Sequence, residues 1–223
     1  MIDAATFWSL PRNTGPSRLF TEILPRIPPL LAEVTLPRPV NVHVLGGGGG
    51  VWTVRLVEGR AEVGEGASPG AIAALVLSRA HLREVVGGAL RDRGIELMRR
   101  LGRPGRFPDL RGLPVDPARA EAVGALRGSV AVEVHDRAFR ESYRFVVTLG
   151  GSLAGGREPD YETATTTLHV DADELVEQLA SGMALAALLK GSRARLEGDP
   201  SLPLRALRAA FGGAVERGRG SGT

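Results

Sequence analysis

TATTTLHVDADELVEQLASGMALAALLKGSRARLEGDPSLPL, from Thr163 to Leu204, decides how this chain is read. In its first part Leu168 and Val170 alternate with Thr167 and His169, the period of a strand with one apolar face. Asp171 then stands where a helix N-cap belongs, with Glu174 at the capping-box position and negative charge on the positive end of the helix dipole. Leu175 and Leu179 fall one helical turn apart, and Ser181-Gly182 allows a bend. Met183, Leu185, Leu188 and Leu189 follow before Lys190 and Gly191 close the helix with a cation and a C-cap glycine. The run ARLEGD, residues 194–199, reads as a further strand, and a tight turn leads into another apolar segment. One face of every element is apolar, and no nucleophile or metal cluster sits among those residues. The pattern predicts a container for a hydrophobic molecule and no reaction centre.

Upstream, Val40 to Leu45 (VNVHVL) alternates as a strand, Gly46 to Gly50 is a turn, and Val51 to Glu58 (VWTVRLVE) returns. Arg60 to Ala67 reads as a third strand and Ala71 to Leu77 (AIAALVL) as a buried one. Ser78 caps a helix striped by Leu82, Val86 and Leu90, weakened at Gly87, Gly88 and Gly94. Leu101 to Leu113 is a Pro/Gly linker, and Asp116-Pro117 opens a short helix. Val130 to Val134 (VAVEV) and Tyr143 to Leu149 (YRFVVTL) form the next strand pair, followed by a loop from Ser152 to Asp160. Before all this, residues 1–18 read as an arm that docks by Phe7 and Trp8. The helical spacing of Phe20, Ile23, Leu24 and Ile27 is cut by Pro25, Pro28 and Pro29.

These elements repeat. Trp52-Thr53-Val54-Arg55-Leu56 matches Tyr143-Arg144-Phe145-Val146-Val147, and Leu75-x-Leu77-Ser78 with Leu82 matches Leu168-x-Val170-Asp171 with Leu175. The offset stays at roughly 90 residues, which predicts a duplicated domain and not a solenoid. The expected organisation is an arm over 1–18, a first domain over 19–112, a second over 113–212 and a disordered tail over 213–223.

Composition narrows the function. The 223 residues are 43% hydrophobic and 24% charged, ordinary for a globular chain, but only 4% aromatic, so Leu, Val and Ala must build the core. The net charge of +3 is too small to argue for a nucleic-acid partner. Lys190 is the sole lysine; the heavy use of Arg, Ala and Gly matches a GC-rich bacterial genome. Without cysteine there are no disulfides, thiolate metal sites or cysteine nucleophiles. The N-terminus lacks the charge and apolar run of a secretory signal, and no apolar stretch approaches the ~20 residues of a membrane span, so the expected location is cytoplasmic.

Candidate chemistry is sparse. Asp171-Ala172-Asp173-Glu174 reads as a helix start, not as a paired-acid site, and Ser78 holds the equivalent place in the first repeat. His43, His81, His135 and His169 show no metal-ligand spacing in sequence, and His169 is expected on the solvent side of its strand. The glycines of Gly46 to Gly50 precede a strand and lack a following Gly-Lys-Ser/Thr, which makes them a hairpin and not a phosphate loop. Arg91, Arg93, Arg99, Arg100, Arg103, Arg106 and Arg111 form a basic run; its usual role is a solvated helix face, its functional alternative transient contact with a membrane surface or a phosphorylated ligand.

The stretch Leu168-His169-Val170-Asp171-Ala172-Asp173-Glu174-Leu175, with Ser181-Gly182 and Lys190-Gly191-Ser192-Arg193-Ala194-Arg195-Leu196-Glu197-Gly198-Asp199, resembles the sterol carrier protein type 2 domain. Val51-Trp52-Thr53-Val54 to Gly59 resembles that family's early strand. The resemblance covers Gly128 to Leu207 better than Leu30 to Gly88. It implies an α/β (α+β) fold of two such domains, each a mixed five-stranded sheet covered by helices, with the first departing from the pattern after Leu101 and lacking its last strand. It further implies an apolar cavity between helices and sheet that binds a sterol, fatty acid, fatty acyl-CoA or other lipid without chemistry or cofactor. The residues expected to line it are Phe145, Val147, Leu168 and Val170 on the strands, and Leu175, Leu179, Met183, Leu185 and Leu188 on the helix. The alternative is a non-catalytic structural module, a pseudo-dimer partnering an enzyme of lipid metabolism.

Overall fold

The computed structural model describes residues 4–28, 35–100, 117–138, 140–154, 156–175 and 194–211. The expected linker after Leu101, the helix break at Ser181-Gly182 and the C-terminal tail lie outside these residues.

Eight strands form one mixed sheet. They are β1 (Val40–Leu45), β2 (Gly50–Val57), β3 (Arg60–Glu65), β4 (Ala73–Ser78), β5 (Ser129–Asp136), β6 (Glu141–Leu149), β7 (Thr166–Asp171) and β8 (Arg195–Gly198). Their order across the sheet is β3-β2-β1-β4-β6-β5-β7-β8. Within the first half β1 runs antiparallel to β2 and parallel to β4. The second half uses the same scheme, with β5 antiparallel to β6 and parallel to β7. The mixed α/β class expected from sequence is present, but its strands are shared out differently. Two separate five-stranded sheets are replaced by one sheet of eight, because β4 and β6 pair antiparallel and join the halves. The inner flank of β4, where a last strand of the first half would sit, is taken by β6.

The sheet has two unlike faces, as period-2 alternation requires. On one face Val42, Trp52, Leu75, Leu77, Phe145, Val134, Tyr143 and Val170 form a continuous apolar layer. In the first half this layer is covered by the N-terminal segment. There α1 (Ala4–Trp8) and α2 (Pro16–Arg18) lead into a π-helical turn at Leu19–Ile23 and a 3-10 turn at Leu24–Arg26. Leu10, Leu19, Phe20 and Ile23 are buried against the strands, with Phe20 stacked on Trp52 at 4.7 Å and 17°. Of the arm's two aromatics, Phe7 packs against this cluster and Trp8 meets Phe7 edge-on at 5.2 Å, while Phe20 lies just beyond the arm.

Two helices follow β4, α3 (Arg79–Gly87) and α4 (Ala89–Arg100). Ser78 caps α3 by accepting a hydrogen bond from the His81 amide at 3.1 Å. The break between them lies at Gly88, where a Cβ would meet the Glu84 Cα at 2.7 Å. Leu90 of α4 packs on the apolar layer of the second half, so α4 spans the junction. Arg93 of α4 grips Asp136 at the end of β5 through two hydrogen bonds of 2.6 and 2.7 Å, and also reaches Asp173. α5 (Pro117–Ala125), α6 (Gly150–Leu153) and α7 (Ser201–Phe211) close one end of the sheet, with Leu202 completely buried. α6 and a loop occupy the segment after β6, with no strand among the described residues there.

Two stability predictions follow from this packing. The Asp136 side chain is fully buried and Arg93 is only 18% exposed, so Asp136→Ala removes the buried, doubly bonded partner of this guanidinium and leaves it the exposed Asp173. We expect a loss of about 3–5 kcal/mol in urea unfolding, the range for breaking a buried ion pair from one side; a loss under about 1 kcal/mol, the value of a surface pair, contradicts it. Burial pushes the His43 imidazole below its ordinary value of 6.5, with the Glu158 carboxylate offsetting this in part. The unfolded chain therefore takes up a proton below pH 6.5 that the native state refuses, and stability falls as pH drops from 6.5 towards the lowered native value. His43→Gln should flatten that part of the stability–pH curve relative to the parent chain; an unchanged slope rules the account out.

Candidate functional site

The expected lipid-facing residues divide into two groups. Phe145, Val147, Leu168, Val170 and Leu175 are described, while Leu179, Met183, Leu185 and Leu188 lie outside the described residues. The described five belong to one side of the second half. β6 places Phe145 opposite Leu77 and Val147 opposite Leu75. β7, parallel to β5, sets Leu168 beside Val132 and Val170 beside Val134. Residues 172–175 are helical and bring Leu175 onto the same layer.

Burial is uneven across this surface. Leu168 and Val170 are core, whereas Phe145, Val147, Val132, Leu175 and Leu90 are only half-buried. In the first half the equivalent layer is occupied by Phe20, Ile23 and Leu10 from the chain's own N-terminus. Phe145 touches both clusters and so forms the wall between them.

The acidic helix start behaves as a cap in part. Asp171 accepts a hydrogen bond from the Asp173 amide at 3.0 Å and is ion-paired with Arg137 at 3.1 Å. Glu174, at the capping-box position, has its Oε2 buried without a hydrogen-bond partner. Three arginines of the basic run have carboxylate partners among the described residues. Arg91 bonds Asp92 and the Leu10 carbonyl, Arg93 bonds Asp136 and Asp173, and Arg99 bonds Glu96. The side chain of Arg100, and Arg103, Arg106 and Arg111, lie outside the described residues.

The opposite face of the sheet carries what the linear sequence concealed. Parallel pairing puts Glu133 level with His169 and His135 level with Asp171. His135 Nε2 lies 3.2 Å from His169 Nδ1, which in turn lies 3.2 Å from Glu133 Oε2. The rings are nearly parallel at 8° with centroids 5.5 Å apart. His169 is on the face opposite Leu168 and Val170, as its alternation predicts, but it is only 23% exposed and surrounded by polar partners. Residues 133, 135 and 169 are far apart in sequence, and only the β5–β7 pairing unites them. These three are the described side chains placed to hold a metal ion. A polar cavity of about 350 Å³ also opens on this chain, lined by Ser129, Thr148, Ser152, Asp160 and Thr165 among others. The Thr148 hydroxyl there has no hydrogen-bond partner.

No helix among the described residues is long and apolar enough to cross a membrane. No family model matches the chain, and no curated protein does. Two solved structures are similar to it in part. One is a sterol carrier protein 2-like 2 from Aedes aegypti, 16% identical, with a TM-score of 0.31 over 52% of this chain and 92% of that one. The other is the sterol carrier protein domain 2 of Helicoverpa armigera, 15% identical, with a TM-score of 0.29 over 40% of this chain and 72% of that one.

Proposed function

We propose that this protein binds a hydrophobic small molecule, a lipid such as a fatty acid, acyl-CoA or sterol, against the apolar face of its second half, without chemistry or cofactor. The observation that carries this reading is the contrast between the two halves. One apolar layer receives Phe20, Ile23 and Leu10 from the N-terminal segment, while in the other, Phe145, Val147, Val132 and Leu175 are half-buried with no such segment among the described residues. The halves are two copies of one unit, in which β1, β2 and β4 correspond to β5, β6 and β7 by pairing sense. In the first copy the N-terminal segment takes the place a guest takes in the second. Any contact with an anionic membrane surface on delivery rests on arginines of the basic run beyond Arg99, since the earlier ones are ion-paired.

A second reading, a structural module partnering an enzyme of lipid metabolism, is favoured by the fusion of both copies into one sheet through β4 and β6. Such a pseudo-dimer keeps its shape whether or not a guest is bound.

Lipid binding separates the two readings. Delipidated protein titrated with a fatty-acid series in a fluorescent-probe displacement assay should bind one acyl chain. Each added methylene should tighten binding about fourfold, the equivalent of ~0.8 kcal/mol per buried CH₂. Native mass spectrometry of freshly purified protein should show the same stoichiometry. No uptake of any chain length, or an affinity independent of length, defeats the lipid reading and leaves the structural one.

A further inference from the structure

We propose that the polar face of the second half is a binding site for a divalent metal ion of the zinc class, ligated by Glu133, His135 and His169. The site lies on the side of the sheet opposite the apolar layer, so it stands or falls independently of lipid binding.

Distances support it. A tetrahedral ion with bonds of ~2.0–2.1 Å to nitrogen and oxygen separates its ligands by roughly 3.3–3.4 Å. His135 Nε2 to His169 Nδ1 is 3.2 Å, and His169 Nδ1 to Glu133 Oε2 is 3.2 Å. Two of the three ligand separations thus stand near tetrahedral spacing, and all three ligand atoms lie within 4.8 Å of one another. The two rings meet edge to edge, so ligation needs rotation of an imidazole about χ2, a broad and soft torsion.

The surroundings of each ligand support it further. His135 Nδ1 is 2.9 Å from Ser142 Oγ. His169 Nε2 is buried and faces the Glu197 carboxylate at 3.5 Å. Glu133 Oε1 accepts a hydrogen bond from Arg144. His135 and Glu133 are thus held by the atoms that do not face the cluster, the arrangement that orients metal-binding histidines and carboxylates, while His169 Nε2 makes no hydrogen bond. With His135 Nδ1–H donating to Ser142 and the His169 proton on Nε2, the remaining lone pairs of both rings and of Glu133 Oε2 face one cluster. Three converging lone pairs repel one another unless a cation or a proton lies between them. Two imidazoles and one carboxylate suit zinc and its neighbours in the first transition row better than magnesium or calcium, which prefer all-oxygen sets. The half-buried position, with Glu133 26% and His169 23% exposed, leaves room for water as a further ligand.

The test is isothermal titration of the full chain, stripped with chelator, with ZnCl₂, paired with the visible absorption of bound Co²⁺. We expect one ion per chain and a Co²⁺ spectrum of low-coordinate nitrogen and oxygen ligation. His135→Gln and His169→Gln should each abolish both signals. Ser142→Ala, at an exposed position, should weaken affinity by about 10–100-fold while the circular dichroism stays unchanged. His43→Gln, distant from the cluster, should bind like the parent chain. If the parent takes up no ion, or if His135→Gln and His169→Gln bind as tightly as the parent, the converging lone pairs share a proton only and the metal site is refuted.

Discussion

Pairing between β4 and β6 fixes nearly everything else. Its register sets Leu75 against Val147, Val76 against Val146 and Leu77 against Phe145. A sheet repeats its side-chain direction every second residue, so this one register decides both faces at once. A slip by one position would carry Arg144 and Thr148 into the apolar layer and expel Phe145. The cost of burying an unpaired guanidinium and a hydroxyl makes the observed register the strongly preferred one. Each half also gains a neighbour where it would otherwise expose a row of unpaired amides and carbonyls, a feature that invites aggregation.

From that junction the two faces take separate roles. The apolar layer runs through Phe145 from one half to the other, and its cover differs on the two sides. The N-terminal segment covers the first half with Phe20 over Trp52, whereas Leu90 of α4 and Leu175 pack on the second. α4 belongs in sequence to the first half but is anchored in the second by Leu90 and by the Arg93–Asp136 pair. The opposite face is polar where β5, β6, β7 and β8 meet, and there Glu133, His135, His169, Arg144 and Glu197 interlock. One sheet thus separates an oily surface from a charged one by the thickness of a backbone.

Much of this was legible in the residues because it is local. VNVHVL, VWTVRLVE, VAVEV and TTLHV alternate, and each is a strand. Ser78 and Asp171 cap helices as their positions after apolar strands imply. What stayed hidden depends on which strand lies beside which. Nothing in the linear spacing shows that β6 pairs with β4, and separate five-stranded sheets were the natural expectation. The same blindness concealed the histidine pair, since His135 and His169 become neighbours only through parallel β5–β7 pairing. Of the apolar candidates, Phe145, Val147, Leu168, Val170 and Leu175 do share one surface, as alternation and helical spacing foretold.

Native-state hydrogen exchange across rising denaturant probes the junction most directly. If one sheet unites both halves, amides of β4 from Leu75 to Leu77 and of β6 from Phe145 to Val147 exchange through the same global opening, with matching free energies. If β5 to β8 lose protection in a separate step while β1 to β4 keep theirs, the halves are independent bodies and the single-sheet account is wrong.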